Sequence, residues 1–252
     1  MIIERDRSII PACDVSLNRF GEIVEATIDI GEVGGYKLPA TAGRKGWESW
    51  VNVARRYTDK PLIYDHQKAG TDIPDTGADF MKELKESGVN AVILFPQAGP
   101  ATEYEWIKAA QEVGLGVIVG GEMTHPRYLD KDFGDGKGDY TQIFKEIGIE
   151  RTIPGFIRQF ASDDIYEIAA RMGVEDFVMP GNKPDRIKYY KQLVESCGIS
   201  EPVIYSPGLI AQGGDLSEGA KAAGKRFHGI VGRGIYKAED IRKAALDLTS
   251  RL

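Results

Sequence analysis

Asp65, Lys68 and Asp72 set an amine between two carboxylates, in the stretch Asp65-His66-Gln67-Lys68-Ala69-Gly70-Thr71-Asp72. Negative charge on both sides of an ammonium keeps it protonated, which makes the lysine a proton donor of fixed position. The plainer account is a surface salt-bridge cluster, because such charge patterns are common. The run Pro61 to Asp65 favours chemistry, since it reads as a β-strand that ends where the charges begin. The three histidines, His66, His125 and His228, are each expected to be packed or solvated rather than catalytic.

A second group lies toward the end of the chain, in Ser206-Pro207-Gly208-Leu209-Ile210-Ala211-Gln212-Gly213-Gly214 and in Gly232-Arg233-Gly234-Ile235-Tyr236. Glycines expose backbone N–H groups and allow close approach, and an arginine offers a charged fork, so together they suit a phosphate. Alternatively the glycines only make tight turns and Arg233 pairs with a helix carboxylate. Two such loops after the last two strands favour the phosphate, because α/β barrels commonly hold one there.

These residues need a scaffold that brings distant segments to one place. Short β-rich apolar runs alternate with stretches of helical period, the pattern of βα units. The expected strands are Ser8 to Cys13, Gly34 to Leu38, Pro61 to Asp65, Asn90 to Phe95, Gly116 to Gly120, Val174 to Met179, Pro202 to Ser206 and Phe227 to Val231. Eight units favour a closed (β/α)8 TIM barrel of the α/β class over an open sheet, since closure leaves no edge strands. The 252 residues fit one such domain, 1–252, and no linker interrupts them. Helical segments include GADFMKELKESG, which sets Phe80, Leu84 and Ser87 on one face. Polar residues gather at the strand ends, with Asp14 after the first, Lys37 at the second and Glu122-Met123-Thr124-His125-Pro126 after the fifth. From Arg127 to Phe160 the rhythm breaks. This elaboration is expected to cover the barrel mouth or join subunits, and its DFGDGKGD only loosely resembles a calcium loop.

Bulk properties narrow the partners. Lys and Arg number 32 against 38 Asp and Glu, so a net charge of −6 disfavours general binding to nucleic acid and any anion must be held locally. Cys13 and Cys197 lack metal-type spacing and read as buried free thiols. No apolar run approaches the ~18 residues of a membrane span, so no membrane partner and a cytoplasmic location are expected.

In order along the chain, Asp14, Lys37, Asp72-Ile73-Pro74-Asp75-Thr76, Glu122-Met123-Thr124-His125-Pro126, Ser206-Pro207-Gly208, Ala211-Gln212-Gly213-Gly214 and Val231-Gly232-Arg233-Gly234-Ile235-Tyr236 resemble the orotidine 5'-monophosphate decarboxylase family, particularly its shorter archaeal-type members. The resemblance implies a cofactor-free decarboxylase acting on a nucleotide. Lys68 would protonate C6 of the pyrimidine, Asp65 would lie beside the leaving carboxylate, and Asp72 would hold the lysine network. Asp14 and Lys37 would bind the ribose and Thr124 the pyrimidine edge. Gln212, Gly232 and Arg233 would bind the phosphate, with Pro207 in the adjoining substrate loop. It also implies a homodimer in which Asp72 and its neighbours through Thr76 reach into the partner's site. The central motif departs from the family pattern: here two residues separate Asp65 from Lys68 and three separate Lys68 from Asp72, where the family has one and two. Two other readings stay open. Related barrels use Mg²⁺ to decarboxylate a keto-sugar phosphate or to make a hexulose phosphate, and a non-catalytic nucleotide sensor would tolerate the altered spacing.

Overall fold

The computed structural model describes residues 2–66, 72–131, 141–151 and 153–252. Eight strands, β1 (Arg7–Pro11), β2 (Tyr36–Leu38), β3 (Leu62–Asp65), β4 (Ala91–Leu94), β5 (Gly116–Gly120), β6 (Asp176–Val178), β7 (Val203–Ser206) and β8 (Phe227–Val231), form one parallel sheet in the order β1-β8-β7-β6-β5-β4-β3-β2. The sheet curls until β1 meets β2. There the contact is two isolated parallel bridges, Ile9 to Val33 and Ala12 to Lys37, rather than a regular ladder. Gly34 permits this approach: its N–H donates to Ile9 O at 3.1 Å, and a Cβ on it would fall 2.4 Å from Ser8 Oγ. The result is the nearly closed barrel that the eight βα units predict, with strand limits differing from expectation by no more than two residues.

Among the described residues the helices are α1 (Leu17–Thr27), α2 (Trp47–Ala54), α3 (Gly77–Glu86), α4 (Pro100–Glu112), α5 (Thr141–Glu146), α6 (Gln159–Arg171), α7 (Pro184–Ser196), α8 (Leu216–Ala223), α9 (Arg233–Tyr236) and α10 (Ile241–Thr249). Capping begins several of them locally. Ser16, Asp215 and Asp240 each accept from the N–H three residues on, which satisfies a donor that the first helical turn leaves open. None of the described helices is long and apolar enough to cross a membrane.

Strand alternation divides the core in two. On β4, Ala91 and Ile93 face the barrel interior with Ile10, Ile63, Ile118 and Ile230. Val92 and Leu94 face the helices. Because successive side chains on a strand point to opposite faces, the same parity decides the site. Ile63 is interior, so Asp65 is too; Tyr36 and Leu38 face the helices, so Lys37 points inward.

The packing expectations for α3, the cysteines and the elaborated segment have different outcomes. On α3 the expected face is the packed one: Leu84 and Ser87 are buried and Phe80 is half-buried against the core, with Gly77 and Met81 buried beside them and Lys82, Glu83, Lys85 and Glu86 exposed. Cys13 is buried as expected, but Cys197 is half-buried, because it follows the last residue of α7 where that helix emerges from the core. Only part of the elaborated segment lies within the described residues. There, Leu129 and Ile157 form a parallel bridge and Gln159 N–H donates to Asp130 Oδ1 at 3.1 Å; the whole of DFGDGKGD lies outside the described residues.

Candidate active site

The strand ends surround a cavity of about 360 Å³. From β1 to β3 it takes Asp14, Lys37 and Asp65; from the loops after β5, β7 and β8 it takes Thr124, Pro207, Gln212, Gly232 and Arg233. Eight of the expected site residues therefore share one space, drawn together by a fold whose strands all end on the same face.

Lys37 and Asp65 lie at its base. They are 3% and 0% exposed, and Lys37 Nζ forms a salt bridge with Asp65 Oδ2. Burial works against the Lys37 charge, but Asp65 and then Asp14 more than offset it and raise its pKa above that of an ordinary lysine. The ammonium is thereby fixed in place and kept charged. The donor set also bears on Mg²⁺. A divalent cation here would meet an ammonium already on the Asp65 carboxylate, and among the described residues no group of three or more His, Cys, Asp and Glu side chains could hold a metal ion. The described residues do not fit that metal.

The loop after β7 is drawn tight. Gly181 N–H donates to Pro207 O at 2.8 Å, and Ile210 N–H to Gly214 O at 2.7 Å. Gly208 has φ +88°, and a Cβ there would sit 2.7 Å from Thr124 Cγ2, so glycine lets this loop press against the pyrimidine-edge candidate. Ile210, a β-branched residue, sits at φ +61°. Such strain persists only when its surroundings enforce it, and it concentrates at functional loops. After β8, the Arg233 guanidinium makes no hydrogen bond or ion pair among the described residues, so the helix-carboxylate alternative for it is not realised there.

Glu122 holds the loop after β5. It is 1% exposed and accepts from Lys183 Nζ at 2.8 Å, Arg186 Nε at 2.7 Å and Tyr190 Oη at 2.6 Å. Burial pushes its pKa up, but these donors prevail and hold it below the ordinary glutamate value. Asn182 Nδ2 donates to Thr124 O at 2.9 Å, tying the same loop to the start of α7. Sequence reasoning gave Glu122 no separate role. Its partners lie some 60 residues further along, so only the fold discloses them.

Lys68 lies outside the described residues, as do Gln67, Ala69, Gly70 and Thr71. Both flanks of this stretch are anchored to α4. On one side His66, 8% exposed, stacks on Trp106 with ring centroids 5.2 Å apart, and burial lowers its pKa while Asp65 and Asp72 oppose that shift. On the other, Trp106 Nε1 donates to Ile73 O at 3.0 Å and Thr102 Oγ1 to Asp72 O at 3.1 Å. Asp72 is exposed, Thr76 is half-buried, and neither lines the cavity of its own chain. Of the histidines, His66 is packed and His228 is buried against Ser8 Oγ at 2.8 Å, as expected. His125 is exposed, also as expected, at the cavity wall and edge-on to Tyr128. Tyr236 also lines it, and closes the Val231–Tyr236 motif that pointed there.

The family model described as "Orotidine 5'-phosphate decarboxylase / HUMPS family" matches residues 70–248. The chain is 29% identical to the orotidine 5'-phosphate decarboxylase of Methanosarcina barkeri, with 99% of this chain and 96% of that protein covered. With the enzyme of that name from Pyrococcus abyssi it shares 27% identity over 79% of each. Among solved structures it is similar to orotidine 5'-monophosphate decarboxylase from Methanocaldococcus jannaschii complexed with inhibitor BMP, with TM-score 0.75, 22% identity and coverage of 98% and 99%. The Sulfolobus solfataricus structure gives TM-score 0.67 at 18% identity, with 97% and 96% covered. At these identities the structural likeness speaks for the fold alone.

Proposed function

The chain belongs to the orotidine 5'-phosphate decarboxylase / HUMPS family, and on that premise we propose that it decarboxylates orotidine 5'-monophosphate to uridine 5'-monophosphate, the last step of de novo pyrimidine synthesis, as a single-domain barrel enzyme of the cytoplasm. The observation that carries this choice within the family is the buried Lys37–Asp65 pair beside Asp14. The Lys37 ammonium already occupies the Asp65 carboxylate, which a divalent cation in this cavity would have to claim.

Loss of carbon dioxide leaves an electron pair at C6 of the pyrimidine, with no carbonyl placed to delocalise it. The enzyme must stabilise that charge and then protonate the carbon. Lys68 is the proton donor in this reading. Asp65 lies beside the leaving carboxylate, and Lys37 keeps the charged array ordered while it and Asp14 hold the ribose. Thr124 meets the pyrimidine edge and Pro207 packs beside it. Gln212, Arg233 and the Gly232 backbone take the phosphate, whose binding energy can be applied to assembling the charged site. No step needs a cofactor. The test follows the loss of orotate absorbance after metal chelation, for the wild type and for Lys68→Ala. Uridine 5'-monophosphate should appear with the wild type, and the variant should lose at least about 10³-fold in rate. Tight nucleotide binding without turnover by the wild type would instead support the sensor reading.

The exposure of Asp72 and of Ile73, at 58%, supports a homodimer in which this edge serves the partner's site. If so, Lys68→Ala and Asp72→Asn are complementary. In a random mixture half the dimers are mixed and each has one intact site, so mixing two inactive variants restores about a quarter of wild-type activity. No restoration after subunit exchange would place Asp72 in its own chain's site.

A further inference from the structure

A second hollow, of about 320 Å³, opens between α4 and α6, away from the charged array. Pro96, Pro100, Ala161, Ile165 and Ile168 make its walls apolar. Three carboxyls, of Glu103, Asp164 and Glu167, interrupt them. Glu103, in the first turn of α4, is 1% exposed, and its Oε1 is buried with no hydrogen-bond partner. Asp164 of α6 lines the same hollow. Burial, with the Asp164 charge adding to it, pushes the Glu103 carboxyl up to about 9. Arg171, on the rim, pairs with Glu167 at 2.8 Å along its own helix.

The helix does not account for this glutamate. With its pKa raised to about 9, the carboxyl holds its proton at neutral pH while the hollow is empty, and Oε1 still lacks a hydrogen-bond partner, at a cost of about 1–3 kcal/mol. A leucine would avoid that cost, so the carboxyl is explained if a ligand answers it, and a cation does so by displacing the Glu103 proton to solvent. Its complement is a hydrogen-bond donor bearing positive charge. Anions are opposed by these carboxyls. A metal ion would need several convergent oxygen ligands, and among the described residues no three His, Cys, Asp or Glu side chains are placed to hold one.

We propose that this hollow binds a small organic ammonium, a protonated primary amine on a compact aliphatic body, with the amine on Glu103 and the body against Ile165 and Ile168. Asp164 adds attraction at the mouth. The site is separate from the nucleotide cavity, so the inference stands apart from the decarboxylase reading.

Cyclohexylammonium chloride is the probe, titrated calorimetrically into the full chain, with cyclohexanol as its neutral counterpart. Saturable binding of the ammonium is expected, at least about tenfold tighter than that of the alcohol. Glu103→Gln should weaken the ammonium by at least about tenfold and leave the alcohol within about twofold. Ile168→Trp, which fills the hollow, should remove both and so confirms the location if the glutamine variant folds poorly. The proposal is overturned by equal affinity for alcohol and ammonium, by ammonium binding that survives both variants, or by no saturation at about 10 mM.

Discussion

Replacing Asp65 with asparagine is expected to lower kcat on orotidine 5'-monophosphate by about 10³-fold or more, with a much smaller change in nucleotide binding. Asparagine keeps the shape of the side chain and removes its charge, so the loss reports electrostatics rather than packing. Asp65 is fully buried and forms an ion pair with Lys37, which is 3% exposed. Removing one member of a buried pair leaves the other uncompensated, at a cost of about 3–5 kcal/mol. Asp14 still faces Lys37 and supports its charge, so the lower end of that range is expected. Two measurements separate the roles: urea unfolding reads the stability loss, and uridine 5'-monophosphate binding reads whether the cavity survives. A variant that binds the product normally yet turns over at wild-type rate would remove Asp65 from the chemistry.

Glu122→Gln carries the largest purely structural effect. One carboxylate answers Lys183, Arg186 and Tyr190, and the two cations remain after the substitution. Their side chains are 22% and 17% exposed, so solvent softens the penalty, and a loss of about 3 kcal/mol at pH 7 is expected. The pH dependence follows from the depressed pKa of Glu122. A carboxyl that binds its proton more weakly when folded contributes its stability above the unfolded value of 4.5 and loses it as pH falls through the folded value. Wild type and variant should therefore differ most near neutral pH and converge below 4.5 in denaturant titrations. A gap independent of pH would assign the effect to packing. Because the same carboxylate anchors the loop that ends in Thr124, the variant is also expected to raise KM.

How much of this was legible in the sequence differs from element to element. The strands were, because a parallel strand buried on both faces must be a short apolar run, and each such run from Ser8 to Val231 became one. The address of the site was legible for the same reason: eight parallel strands end on one face, so Asp14, Lys37, Thr124 and Arg233 had to converge. Parity even sets the direction of Asp65 once Ile63 is known to face inward. The α3 face was legible too, because its exposed lysines and glutamates leave Phe80, Leu84 and Ser87 to the core side.

The sequence by itself thus determined the barrel, the end of it that does chemistry and most of the side chains gathered there, since those follow from periodicity and chain order, which are local. Only the tertiary structure decided which charges meet. The Lys37–Asp65 pair, the three donors on Glu122, the anchoring of His66 and Ile73 to Trp106 and the unanswered carboxyl of Glu103 all join residues on different elements. Electrostatic and hydrogen-bond energies depend on separations of a few ångströms and on burial, and neither is encoded in the local pattern of any one segment.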